Sequence, residues 1–287
     1  MSKKNFLAIY AKSFNWAGAF LPKETYEDCS SLYNFCRSVD DIADCDDKLT
    51  AKVQKLKVFI DSFSAQNCDD EIIADMKRLI IKYNISDRII FDLFDGVKTD
   101  LVERLEFQSE KEIFLYSYRV AGTVGLMMAK ILRVNDRAAL FGAIDLGIAM
   151  QLTNISRDVF EDEKRNRIYL IKNSKDIMLD IKNIISKADS FYESSFIGLK
   201  DIPLSCRFSI VVARRVYRQI GKKILRKKDI DSYKKAGKIY VSNFGKIIQT
   251  IFSLLDLIIL FFIKPRKHEK ENEYNLINED IGLNERI

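Results

Sequence analysis

The stretch "QLTNISRDVFED", Gln151–Asp162, decides how the rest of the chain is read. It is a polar strip among leucine, isoleucine and phenylalanine. On a helix, Gln151, Asn154, Asp158, Glu161, Asp162 and Arg165 fall within an arc of roughly 100°. Ile148, Leu152, Ile155 and Val159 fill the arc beside it. The polar residues therefore line one face next to an apolar wall. Asp158 and Asp162 are four apart and stack one turn above the other. Like charges at that spacing repel, so the fold must bring cations to them.

A second stretch, "YNFCRSVDDIAD", Tyr33–Asp44, repeats the arrangement. Tyr33, Arg37, Asp40 and Asp44 share one face, and Leu32, Phe35, Val39 and Ile42 another. A single face of this kind reads as solvated helix surface. Two of them, each with polar companions and an apolar flank, read as opposed walls of a cavity. Paired carboxylates suit magnesium, which is held by one or two carboxylates, water and phosphate oxygens. Arg37, Arg157, Arg165 and Arg167 would complement phosphates. The nearby "DCDDKLT" is no EF-hand, because it lacks the glycine and the terminal glutamate.

Three prolines and 11 glycines in 287 residues favour long helices, and 47% hydrophobic content is ample for one core. Apolar residues recur at helical spacing, and no run alternates as a strand would. Pro22 reads as the start of the helix carrying Tyr33–Asp44. A loop is expected near Ser64–Glu71, and the helix carrying the opening stretch begins near Ala138. Further helices are expected around Ile181–Phe196 and Ser205–Leu225. Ala121, Gly122 and Gly125 would admit a neighbouring backbone or a ligand.

The net charge of +6 suits anionic lipid heads or polyphosphates. Lys and Arg are scattered apart from a cluster at Arg214–Lys228, which reads as a solvated helix face. No aromatic-basic platform points to nucleic acid. The cysteines Cys29, Cys36, Cys45, Cys68 and Cys206 lack metal-ligand spacing, and His268 is the single histidine. Zinc chemistry and histidine triads are thereby disfavoured, and the thiols read as reduced and cytoplasmic. Lys12 interrupts the first apolar stretch too early for a secretory signal.

The chain resembles the squalene/phytoene synthases, which join two isoprenoid diphosphates head to head, and is most like the bacterial phytoene synthases. The resemblance is carried by "KSF" at Lys12–Phe14, "LP" at Leu21–Pro22, Tyr33–Asp44, "YRVAGTVG" at Tyr118–Gly125 and "QLTNISRDVFEDEKRNRIYL" at Gln151–Leu170. It covers most of residues 11–220. It implies an all-α, single-domain isoprenoid-synthase helical bundle with a central cavity, here residues 1–246. It also implies magnesium, or manganese, at Asp40, Asp44, Asp158 and Asp162, with Asn154 beside them. Gln151, Arg37, Arg157, Lys12, Ser13 and Phe14 would face the substrates, and Tyr33, Tyr118 and Tyr217 would line the cavity. Ala11, Phe160 and Ser156 depart from common family residues, and no proline follows "RIYL". None of these departures removes an aspartate.

The implied reaction joins two geranylgeranyl diphosphates into phytoene, for carotenoid biosynthesis, without NADPH. Farnesyl-using squalene or dehydrosqualene synthases remain alternatives. So does a non-catalytic assembly factor of the same fold, disfavoured by the four aspartates, and a chain-elongating prenyl transferase, whose paired DDxxD motifs are only half matched.

Ile247–Ile263, "IIQTIFSLLDLIILFFI", is the most apolar stretch, though Asp256 interrupts it. Residues 247–264 read as a packed final helix, an interfacial anchor or a span. A mid-bilayer charge costs about 3 kcal/mol, which counts against a span. The basic "KPRKHEK" that follows suits an anionic leaflet. A hydrocarbon product must leave into lipid, so a cytoplasmic enzyme peripheral on the inner membrane face is expected, with a downstream desaturase as a partner. Residues 265–287 are charged and expected to be disordered.

Overall fold

Pro22 sets the entry to the first long helix, its ring holding φ at −54°. The computed structural model describes residues 12–66, 69–171, 174–264, 268 and 270–287. Ala11 and Cys68 lie outside these. A short helix α1 (Lys12–Gly18) precedes α2 (Lys23–Asp44), α3 (Leu49–Ser64), α4 (Glu71–Tyr83) and α5 (Asp87–Thr99). The carboxylate of Asp70 caps α4 by accepting from the N–H groups of Ile72 and Ile73. A capping box of Ser109 and Glu112 starts α6 (Glu110–Ser117). That helix widens into a π-helical turn, Tyr118–Gly122, before α7 (Thr123–Ile131).

The 28-residue α8 (Arg137–Lys164) is the central element. It packs against α6, α7, the π-helical turn, α9 (Ile177–Gly198) and α10 (Leu204–Leu225). The small residues expected to allow close approach do so. A Cβ added to Gly125 would meet the Ala143 carbonyl oxygen at 2.2 Å, and one on Gly147 the Ala121 oxygen at 2.2 Å. Backbone thus meets backbone, and the polar face of α8 is fixed against its neighbour. On α2, Phe35 packs against Phe59, Phe63 and Phe94, which leaves the opposite, acidic face open to solvent at Asp40 and Asp41.

Two features were not expected. Two-residue strands, β1 (Leu105–Glu106) and β2 (Arg167–Ile168), pair in parallel. They are too short to show a period in sequence. Among the described residues, 270–287 also depart from the disorder expected of the tail. After α11 (Ile230–Lys235) and α12 (Asn243–Phe262), a further helix α13 (Glu271–Ile281) packs on the body. Its composition is charged, yet Tyr274, Ile277 and Ile281 share one buried face. Tyr274 donates to buried Asp145 at 2.6 Å, and Arg286 binds Asp92 at 2.9 and 3.0 Å.

Helix α12 packs along α10 with its polar side inward. Lys246, Ser253 and Asp256 are buried, and Asp256 accepts from Arg215 at 2.5 and 2.7 Å. Its outer side, including Ile251, Leu254, Leu255, Ile258 and Phe262, is exposed.

Candidate active site

Asp40 and Asp44 stand one turn apart on α2. Arg37 reaches Asp40 at 3.0 Å and Asp41 at 2.5 Å. Partial loss of water around Asp40, whose side chain stays 50% exposed, and the charge of Asp44 push its carboxyl up to about 7. On α8, Asp158 accepts from Arg157 Nε at 2.8 Å and Nη2 at 2.5 Å, and Lys238 approaches to 3.3 Å. Burial, with Asp158 one turn away, pushes Asp162 up to about 7 as well. Two arginines supply the compensation that the paired aspartates require. Arg167 lies 2.6 Å and Arg165 3.3 Å from Asp44, and the charge of each also acts on Asp162. They sit at the β2 strand, just beyond the end of α8, where Asn166 takes a left-handed φ of 58°. Both aspartate motifs therefore converge on one rim.

Although α8 is surrounded by helices, Gln151, Asn154, Arg157 and Asp158 remain only half-buried. Solvent therefore still reaches this face of the central helix. Asn154 donates to Gln151 at 3.3 Å and accepts from the Tyr217 hydroxyl of α10 at 3.4 Å. The Phe14 ring lies 5.0 Å from that of Tyr217, bringing α1 to the same wall. Ser13 is half-buried there and Lys12 is exposed. Burial pushes Tyr33 up to about 12, so its phenol stays protonated.

Tyr118 does not join this wall. It is fully buried, and its hydroxyl donates to Asp92 at 2.9 Å, beside Arg286. The expectation of a cavity role is corrected: buried Asp92 needs a donor, and the Tyr118 hydroxyl supplies it.

Several neighbours went unread in the sequence. Asp100, its carboxyl raised by burial, accepts from Tyr116 at 2.8 Å and Tyr169 at 2.6 Å and adds its charge to Asp40 and Asp162. Tyr169 lies in the quoted "RIYL", which could have flagged it. The Tyr233 hydroxyl of α11 donates to the carbonyls of Ser156 and Arg157 at 2.8 and 2.6 Å, bracing the second motif. Nothing local marks Asp100, Tyr233 or Lys238.

Among the described residues, no three His, Cys, Asp or Glu side chains form a ready metal cluster. The donors are hard carboxylate oxygens in pairs, which fits magnesium completed by water and phosphate oxygens.

The profile of the family described as squalene/phytoene synthase matches residues 7–173. The chain is 31% identical over 263 residues to 15-cis-phytoene synthase of a Paracoccus species, covering 83% of this chain and 84% of that one. It is 30% identical over 247 residues to phytoene synthase of Pseudescherichia vulneris, covering 76% and 80%. A crystal structure of a dehydrosqualene synthase in complex with ligand superposes with a TM-score of 0.73 at 26% identity, over 88% of this chain and 94% of that one. The squalene synthase of Alicyclobacillus acidocaldarius shares the fold, with a TM-score of 0.68 at 16% identity over 78% of this chain and 90% of that one. Fold and site together define a helical isoprenoid synthase. The chain belongs to the squalene/phytoene synthase family, as a prenyltransferase of the phytoene synthase type.

Proposed function

We propose that the protein condenses two geranylgeranyl diphosphates head to head into phytoene, in carotenoid biosynthesis. The observation that carries this reading is the convergence of both aspartate pairs, through Arg165 and Arg167, on one rim beside an aromatic wall. Magnesium, or manganese in its place, bound by Asp40, Asp44, Asp158 and Asp162 with Asn154, would neutralise the diphosphate and make it a better leaving group. Arg37, Arg157, Lys12 and Ser13 bind and orient the two anions, and Gln151 holds the Asn154 amide in place.

Loss of the first diphosphate breaks a C–O bond and leaves an allylic cation. The double bond of the second substrate attacks it, and loss of a proton closes a cyclopropane. The cyclopropylcarbinyl diphosphate ionises in turn, rearranges and loses a second proton. The faces of Phe14, Tyr33 and Tyr217 stabilise these cations by their quadrupoles, and the apolar wall keeps out water that would quench them. Tyr33 acts as a donor, since it titrates far above neutrality, and the departing diphosphate takes the proton. The scheme needs no NADPH.

A second reading uses farnesyl diphosphate. It is favoured by the 26% identity and close superposition with a dehydrosqualene synthase. One assay separates the two: purified protein with magnesium receives either diphosphate, with and without NADPH, and the extracted hydrocarbons are weighed by mass spectrometry. Phytoene from geranylgeranyl diphosphate alone supports the first reading, and squalene or dehydrosqualene from farnesyl diphosphate the second. No hydrocarbon from folded protein would favour a non-catalytic role.

The exposed apolar side of α12 supports a peripheral position on the cytoplasmic face of the membrane, where a desaturase could take up the product. Charged replacements on that outer side, Ile251→Glu with Ile258→Glu, are expected to move the folded protein into the soluble fraction.

A further inference from the structure

The basic cluster on α10 is not a simple solvated face. Arg214, Arg215, Arg218 and Lys222 line a solvent-open cleft of about 130 Å³ between α9 and α12, facing two carboxylates, Glu193 and Asp256. Arg215 is matched by Asp256 at 2.5 and 2.7 Å. Arg218 is matched by Asp189 at 2.5 and 2.7 Å and also reaches Glu193. Lys222 is exposed at the edge of the cleft, where its charge also acts on Asp189.

Arg214 is the anomaly. Its side chain is 4% exposed, and the nearest carboxylate oxygen, on largely solvated Glu193, is 4.0 Å away. Its Nε and Nη2 donate to the Tyr192 carbonyl at 3.0 and 2.7 Å, and its guanidinium lies 4.6 Å from the centre of the Phe196 ring. Burial pulls this guanidinium down to about 10. A buried cation without a close counter-ion is costly, and an incoming anion relieves that cost.

The position of the cleft indicates which anion. It opens beside the apolar side of α12: the Arg215 guanidinium lies 5.6 Å from the centre of the Phe252 ring, which adjoins exposed Ile251, Leu255 and Ile259. A helix lying in a membrane surface with that side down holds its flanks at headgroup depth. We propose that the cleft binds the phosphate of an anionic phospholipid between Arg214, Arg218 and Lys222 while the acyl chains lie along α12. This rests on the membrane reading above.

The test is sedimentation of the full chain with phosphatidylcholine vesicles, with and without phosphatidylglycerol. Lys222→Glu is compared with Lys57→Glu, a reversal of the same charge on exposed α3, and folding is checked by thermal melting. Phosphatidylglycerol is expected to tighten binding by about tenfold or more, Lys222→Glu to cut that binding by about tenfold, and Lys57→Glu to leave it within about twofold. Inorganic phosphate should not compete, whereas a soluble short-chain phosphatidylglycerol should. Equal losses in the two variants would reduce the effect to diffuse charge and overturn the proposal. Full competition by inorganic phosphate would make the cleft a free-anion site and also overturn it. Equal binding to both vesicles overturns the cleft while leaving the membrane reading intact, and binding to neither overturns both.

Discussion

Arg167 holds Asp44 at 2.6 Å from a two-residue strand 123 positions further along the chain, and its second nitrogen donates to the Ala43 carbonyl at 2.9 Å. One guanidinium thus fixes the end of α2 and stands between the two aspartate motifs. Replacing it by alanine is expected to lower turnover by about 10²-fold or more, the order seen when one preorganised charge donor is lost. Arg167→Lys should rescue only part of this, because an ammonium cannot fork between the carboxylate and the carbonyl. Turnover measured beside a thermal melt checks it; unchanged turnover would place Arg167 outside the chemistry.

Asp40 and Asp162, both pushed up to about 7, set the pH behaviour of the metal-free protein. Between about pH 4 and 7 the native state binds more protons than the unfolded chain, so these two groups make stability fall as pH rises through that window. Asp40→Asn and Asp162→Asn should flatten the fall, read as Tm against pH. Magnesium held as proposed would displace the same protons, so its affinity is expected to climb through pH 7 with proton release. Calorimetry in buffers of different ionisation enthalpy reads that release directly.

Asp100 raises both groups through its charge, without belonging to either motif. Asp100→Asn is expected to shift the proton-release profile to lower pH. A variant that merely loosened the fold would lower Tm and leave the profile in place.

The Arg286–Asp92 pair ties the C-terminal residues to α5, with Asp92 buried. Arg286→Ala leaves that buried carboxylate without a counter-ion, held by the Tyr118 hydroxyl alone, and should cost about 3 kcal/mol. The double variant Arg286→Ala with Asp92→Asn should recover much of the loss. Denaturant unfolding of both variants measures the difference.

Much of the scaffold is legible without coordinates, because its signals are local. Pro22 marks the start of α2, the aspartates four apart mark two faces, and Ala121, Gly122 and Gly125 mark the contact with α8. The losses are equally physical. Arg167 was legible as a phosphate partner, but a two-residue strand has no period to announce the contact with Asp44. Tyr118 sits in a matching motif, yet its hydroxyl is taken up by buried Asp92, 26 residues away in sequence. Lys238 and Tyr233 reach the second motif from segments placed only by packing. The tail's average charge conceals Tyr274, Ile277 and Ile281, whose spacing of three and four was the signal to read.

The seam at Gly125 and Gly147 has a bearing on traffic through the protein. Where main chains touch, there is no side chain to rotate aside and no slack to take up. The wall carrying the second aspartate pair is in that sense a fixed jamb. Any loosening that admits a long isoprenoid, or releases a longer product, falls to helices joined through side chains. Helices α1, α10 and α12 meet through side chains, Trp16 on Thr250 and Arg215 on Asp256, and they present Phe14 and Tyr217 to the site and an oily surface to the outside.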